Sequence, residues 1–391
     1  MAKKLYFEVG SKTRKAKKGY VSVNDKARKI KKAYVGVDDK ARAFWSGGEL
    51  RYYGTATALN VGRVNIQGVS TSHHALFGGG YNGGRMTTVE AYNTSLTRTT
   101  PSALECGGGS DIIGAPAGQY AIFTISDGSH YGGASILSAD AYDSSLTRST
   151  INVDKFIQFF SSIPASIQSA AIFSGGCSYE AGSRLEPKRS YSYAVTSGLT
   201  ITRIDNVETG ESPTACSFGT NALYAGGKTR IKGHAPFYTP VKSASAKVFY
   251  YNSSLTVGTA PALAAGKAGM ASATNGKYAL FAGGGTYDTK GSWASSNTVD
   301  AYDTSLTRTN PTALSAAGTF YGASLGNYAL FASKSNDVNV YDQSLTRTTL
   351  RKLSVERTGV ASATIGNYAL FAGGTISSDT YSNAVDVYTI D

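Results

Sequence analysis

Metal-dependent, nucleotide-dependent or hydrolytic chemistry would have to draw on few side chains. The histidines are His73, His74, His130 and His234. None stands in an HExxH run or at zinc spacing from a cysteine, so a metal centre would need ligands from distant parts of the chain. His73 and His74 directly precede an apolar run at Ala75, where turn residues are the simpler reading. Cys106, Cys177 and Cys216 are odd in number and far apart, without a CxxC pair. They read as reduced, mostly buried thiols of a protein folded in a cytosol. Gly226-Gly227-Lys228-Thr229 copies the end of a phosphate-binding loop, but Ala222 occupies the place of its first glycine and no helical period follows. The glycine-rich run from Gly78 to Gly84 falls between two strand-like segments. Its register is that of a repeat rather than of a nucleotide fold. No GxSxG elbow occurs. Asp140, Asp143, Asp300, Asp303, Asp342 and Asp386 recur with the same repeat, which favours structural roles. No cofactor, metal or catalytic group is expected. Glycosidase carboxylates meeting from separate units are the catalytic alternative left open.

The elements that would carry these residues are set by repetition. An Ala-[Leu/Ile]-[Phe/Tyr] signature starts at Ala75, Ala121, Ala171, Ala222, Ala279, Ala329 and Ala369, usually followed by Gly-Gly. A [Ser/Gly]-Leu-Thr signature is centred on Leu96, Leu146, Leu199, Leu255, Leu306 and Leu345. A period near 50 residues with strand-like composition predicts one four-stranded propeller blade per unit, with strands over 361–364, 368–371 and 384–388 and an outer strand such as 307–314. The first signature has one copy more than the second, so the last blade must take its outer strand from elsewhere. Leu50 to Leu59, whose Thr57-Ala58-Leu59 matches Thr312-Ala313-Leu314, is expected to pair with the C-terminal strand and close the ring. The fold class is therefore all-β: a seven-bladed propeller over residues 50–391, with a six-bladed or differently grouped ring as the alternative.

Charge divides the chain. The 391 residues carry a net +12, yet only 16% of them are charged, against about 25% in ordinary domains. Residues 1–45 hold +10 of that excess. Within them Tyr6, Tyr20 and Tyr34 are spaced by 14, as are Arg14, Arg28 and Arg42, with Asn24-Asp25 and Asp38-Asp39 at turn positions. This predicts a small basic β-meander of three repeats, a docking module joined to the propeller by a linker at 46–49. Lys3 and Lys4 lead into no apolar stretch, so no secretory signal is expected. The leader could contact nucleic acid through its cations. Its aromatics follow strand periodicity, however, and an acidic protein surface is the preferred partner.

The Gly-Gly pairs, the spaced tyrosine in Val385-Asp386-Val387-Tyr388 and the unit length resemble the Kelch-type β-propeller family, although its usual Trp after the Tyr is absent, with Arg308 or Thr309 near that place. The leader, through Tyr34 to Arg42 and its copy at 20–28, resembles the lysine-rich leader of tail-associated proteins of bacteriophages and phage-tail-like particles of Gram-positive bacteria. That resemblance implies a virion protein, folded in the bacterial host cytoplasm and oligomeric on the particle. Its N-terminal module would attach to other tail proteins, through Arg14, Arg28 and Arg42. Its distal domain would recognise host cell-wall carbohydrate without turnover. A carbohydrate-active enzyme, or a capsid or neck decoration that never touches the host, are the alternatives. No membrane partner is expected.

Recognition would fall on the loops between second and third strands, which share a face with the blade-to-blade connections. The least regular are 81–85, 179–189, 228–246 and 285–297. They offer Tyr81, Arg85, Tyr131, Tyr179, Lys228, Arg230, His234, Tyr238, Tyr287, Asp288 and Trp293 as candidate ligand-binding residues. Flat aromatics beside hydrogen-bonding groups suit a sugar ring, and the cations favour anionic wall polymers.

Overall fold

The computed structural model describes residues 49–390 apart from 106–110, 127–135, 158–162, 175–191, 205–211, 231–240 and 289–290, together with strands between residues 6 and 46. Among the described residues seven four-stranded antiparallel sheets form the blades of a β-propeller. The Ala-Leu-Phe runs are the second strands, as in Tyr278–Ala282, Tyr328–Ala332 and Tyr368–Ala372. They lack polar alternation because each blade is covered on both sides by its neighbours. Leu370 and Phe371 point to opposite sides of their sheet, and both are fully buried. Leu370 packs with Phe77 and Tyr92 of the first blade, Phe371 with Leu330 and Val340 of the sixth. The core is thus divided into clusters lying between blades.

Inner strands follow one another around the axis and the last returns to the first. Across that final junction the Thr364 N–H donates to Ser70 Oγ at 2.8 Å. Equivalent bonds of 2.8 Å join the Ser166 N–H to Ser217 Oγ and the Thr274 N–H to Ser324 Oγ. The approach is close enough to require glycine in places: a Cβ on Gly322 would stand 1.9 Å from the Ser272 carbonyl oxygen.

The tyrosines of the repeat tie blade to blade. Tyr92, Tyr142, Tyr302, Tyr341 and Tyr388 are fully buried on third strands. Their hydroxyls donate to the carbonyls of Thr57, Ser102, Pro261, Thr312 and Arg351, all within 2.7–2.8 Å and all following the outer strand of the preceding blade. Burial pushes the phenols of Tyr92, Tyr302, Tyr341 and Tyr388 well above their ordinary value, so they remain hydroxyl donors at neutral pH. The Ser-Leu-Thr signature is also explained. Its leucines are left-handed, with φ from 58° to 64°. That costs an L-residue about 1–2 kcal/mol. In exchange an Asn or Asp three residues earlier, replaced by Thr196 before Leu199, closes the turn: Asp303 Oδ1 accepts the N–H groups of Ser305 and Thr307, both at 2.9 Å. The leucine itself packs on an interblade cluster.

One expectation needs correction. The outer strand placed at 307–314 is only Arg308–Thr309. Pro311 has no N–H for the ladder, and Pro101 and Pro261 stand at the matching points of two other blades. Leu314 lies beyond the strand and is buried in the linker, like Leu59, Leu104, Leu263 and Leu353.

The last sheet settles the number of blades. Ala361–Ile365, Tyr368–Ala372 and Val385–Ile390 are completed by Leu50–Thr55, with Ile390 opposite Leu50 and Asp386 opposite Thr55. A bulge at Tyr53 interrupts this register, and Gly54 follows it with φ 133°. The bulge bends a strand edge that would otherwise be open to further pairing. In the leader, Tyr6–Val9 pairs with Lys12–Lys15, Tyr20–Val23 with Lys26–Lys29, and Lys32–Val37 with Lys40–Ser46. Among the described residues each of these pairs is a two-stranded sheet of its own. Arg14, Arg28 and Arg42 hold the same register, opposite Phe7, Val21 and Val35.

Because Leu50–Thr55 supplies the outer strand of the last blade, deletion of residues 1–60 should leave the outer edge of Val385–Ile390 open and produce aggregation. Deletion of residues 1–45 should leave a monodisperse, cooperatively melting propeller. Size-exclusion chromatography and thermal denaturation of the two truncations check this.

Candidate functional site

Strand direction gives the ring two different faces. In every blade the turns from first to second and from third to fourth strand lie on one face. The connections from second to third strand and from blade to blade lie on the other. The outer strand Leu50–Thr55 runs from the turn face to the loop face, so the chain enters the propeller from the turn face at Leu50.

The loop face rests on buried ion pairs. Arg63 and Arg357, both fully buried, lie in the linkers leading into the first and seventh blades. Arg357 donates through Nε to the Gly373 carbonyl at 2.7 Å, through a terminal nitrogen to the Phe371 carbonyl at 3.1 Å, and to Asp386 Oδ2 at 2.7 Å. Arg63 repeats the arrangement with the Gly79 carbonyl at 2.7 Å and the Glu90 carboxylate. In the fifth blade Lys267 meets Asp300 Oδ2 at 2.8 Å. Each arginine therefore clamps its linker to the start of a second-to-third-strand connection, whereas Lys267 reaches its end, donating to Thr298 Oγ1 at 3.0 Å. The sixth blade has neither charge: Gly318 takes the cation's place, and Asn339 takes that of the acid, accepting the Ser315 N–H at 3.0 Å. These cations escaped the sequence reading, although their signal was present. Each stands four residues after a linker leucine, at Leu59, Leu263 and Leu353.

Among the described residues three connections on this face carry hairpins of their own, two of them within the irregular loops expected at 228–246 and 285–297. Lys228–Arg230 pairs with Val241–Ala244, Gly285–Tyr287 with Trp293–Ser295, and Thr375–Ser377 with Thr380–Tyr381. Tyr287, Asp288 and Trp293 are brought together on the second hairpin, which packs beside the first, where Lys228 and Arg230 lie. Trp293 is 45% exposed, and its ring meets that of Tyr287 edge-on with centroids 5.0 Å apart. Asp288 is committed to its own turn, where Oδ1 accepts the Ser292 N–H at 2.8 Å.

Tyr81 and Arg85 form a separate group on the first blade, joined by a backbone bridge. Tyr81 is exposed and meets Tyr381 of the seventh blade edge-on at 6.2 Å. Exposed Val61 and Ile376 lie on the linker and hairpin at this seam. Tyr131, Tyr179, His234 and Tyr238 lie outside the described residues. The candidates thus do not converge on one pocket. A cavity of about 400 Å³ instead opens on the turn face among the second, third and fourth blades, lined by Gln168, Ser169, Ser197, Thr220 and Ser253.

Cys106, Cys177 and His130 lie outside the described residues, and the remaining reactive groups among the described residues have local roles. The Thr71 hydroxyl accepts the His73 and His74 N–H groups in a turn, and burial lowers the His74 imidazole pKa. Burial pushes the Cys216 thiol up to about 12, which leaves it protonated and inert at neutral pH. Lys228 and Thr229 belong to a strand rather than to the helix a phosphate-binding loop requires. Among the described residues no three His, Cys, Asp or Glu side chains gather as metal ligands. No helix among them is long and apolar enough to cross a membrane. Neither a family model nor a curated protein matches the chain.

Removing one member of a buried pair leaves the other charged and dry, at a cost of about 3–5 kcal/mol. Arg357→Met should lose stability on that scale in guanidinium unfolding, and adding Asp386→Asn should recover part of the loss. A pH dependence follows for Asp300. Burial pushes its carboxyl up, but Lys267, the Ala264 N–H and Arg308 outweigh that effect and hold it below its ordinary value. A lowered folded-state value stabilises the protein above the unfolded pKa of about 3.9 and is lost as acid protonates the folded carboxyl. The stability difference between the wild type and Asp300→Asn should therefore shrink as pH falls from 6 towards 3 in thermal melts.

Proposed function

We propose that this protein is a structural and binding component of a phage or phage-like particle: a tail or baseplate appendage with a Kelch-like propeller head, acting by non-catalytic recognition of the host surface. The observation that carries the proposal is the polarity of the ring. The basic leader joins the propeller on the turn face, while Tyr81, Tyr287 and Trp293 stand exposed or half-buried on the loop face. A protein that links a particle to a cell needs two such independent surfaces. The hairpins of the leader, with arginines at one repeated register, suit docking to an acidic surface of a tail protein. The rigid ring suits the display of variable loops. Several copies per particle would convert weak contacts with wall carbohydrate into firm attachment.

The two surfaces can be tested separately. Changing Arg14, Arg28 and Arg42 together to glutamate should abolish incorporation into particles while leaving binding of the purified protein to host cell walls unchanged. Tyr287→Ala with Trp293→Ala should do the reverse. Undiminished incorporation of the first variant would refute the docking role, and tight association of residues 1–45 with DNA would replace it with nucleic-acid binding.

A further inference from the structure

We infer that the Trp293 indole on the fifth-blade hairpin is a preformed platform for a sugar ring, a single stacking subsite for a pyranose of a glycan. The inference deepens the host-facing reading of the loop face and rests on it for the source of the sugar, but its chemistry stands on the hairpin.

The indole is held before any ligand arrives. It lies over Gly285 of the facing strand, where a Cβ would stand 2.6 Å from the indole Cζ2 and 2.7 Å from Cε2. It also reaches towards Gly269, at 3.9 Å from a Cβ there. Tyr287, its pairing partner, meets the ring edge-on at an interplanar angle of 69°. The backbone of Gly285 exchanges hydrogen bonds with that of Ala268, at 2.9 and 3.0 Å, so the base of the hairpin is fastened to the linker held by Lys267. A flat, largely immobilised side chain has little rotamer freedom left to lose on binding.

The surroundings select the class of ligand. Ser295, two residues along the strand and so on the same hairpin face as Trp293, is exposed and polar, and exposed Thr286, Asp288 and Ser292 alternate onto the other face. The other large hydrophobic side chains exposed among the described residues are Tyr53, Val61, Tyr81 and Ile376, all on the first and seventh blades or their linker. A protein partner's apolar surface would find no continuous patch among the described residues of this hairpin. A pyranose presents a face of C–H groups rimmed by hydroxyls. The face stacks on the indole, and the rim meets the Ser295 hydroxyl on the same hairpin face and water beyond it. One such subsite gives affinity near the millimolar range, about 4 kcal/mol, which suits a multivalent particle.

The chain has two tryptophans, Trp45 and Trp293. In the full-length Trp45→Phe protein the indole emission therefore reports on Trp293 alone. Titration with tetra-N-acetylchitotetraose and with cellotetraose, each to about 20 mM, should give a saturable change in emission for at least one of them. Saturation transfer from the same sugar should fall at least tenfold in full-length Trp293→Ala, with circular dichroism and melting unchanged. Flat emission with both sugars, or undiminished saturation transfer in Trp293→Ala, overturns the platform. Cell-wall pelleting separates this outcome from the larger reading. Sugar binding at Trp293 without pelleting would retain the platform and defeat host recognition. Pelleting that survives Trp293→Ala, with flat titrations, would do the opposite.

Discussion

A guanidinium withdrawn from water has to replace every hydrogen bond it gave up, and Arg357 does so with groups from three parts of one blade. It takes carbonyls of its own linker, at Val355, and of the second strand's exit, at Phe371 and Gly373, together with the carboxylate of Asp386 on the third strand. Asp386 in turn accepts the Tyr52 hydroxyl from the closing strand and the Ser354 N–H. One buried charge thereby fixes where the chain enters the blade, where it leaves the second strand and how the ring closes. Such pairs are costly to desolvate. Their value here is geometric, because a satisfied cation at this point leaves the loops above it free to vary without shifting the strands below.

The same division of labour runs through the joints between blades. The tyrosine hydroxyls bind carbonyls just beyond the preceding outer strand, the linker leucines fill the space between sheets, and the left-handed leucines place an apolar group where a glycine would have eased the turn. Backbone strain at Leu306 is accepted because its side chain joins the cluster around Phe281 and Tyr302. The turns from third to fourth strand are consequently alike from blade to blade, closed on a left-handed leucine in six blades. The loop face, with added hairpins on the fourth, fifth and seventh blades, is not uniform.

Much of this was legible because it repeats. Seven Ala-[Leu/Ile]-[Phe/Tyr] runs marked the second strands, and the excess over Ser-Leu-Thr copies located the closing strand near Leu50. Features carried by a few blades were harder to see. Arg63, Lys267 and Arg357 share a spacing from a leucine, but a cation in a linker reads as surface charge until the acid opposite is known to be buried. The hairpins at 285–295 and 375–381 lack long runs of β-formers, since two or three ladder pairs held from below suffice to build them. Trp293 was legible as an aromatic in a polar stretch; its support from Gly285 depends on a cross-strand register that residue types alone do not encode.

The bond between Tyr52 and Asp386 spans 334 positions of chain. At about 5–20 residues per second of synthesis, the closing strand leaves the ribosome some 20–70 s before its partner exists. Throughout that interval the nascent chain carries a strand of alternating exposure whose two edges have nothing to pair with. Gly54, which takes a positive φ of 133° in the closed ring, weakens that segment as a template for a neighbouring nascent chain. A device that finishes the ring in the mature protein also guards the unfinished one on the polysome.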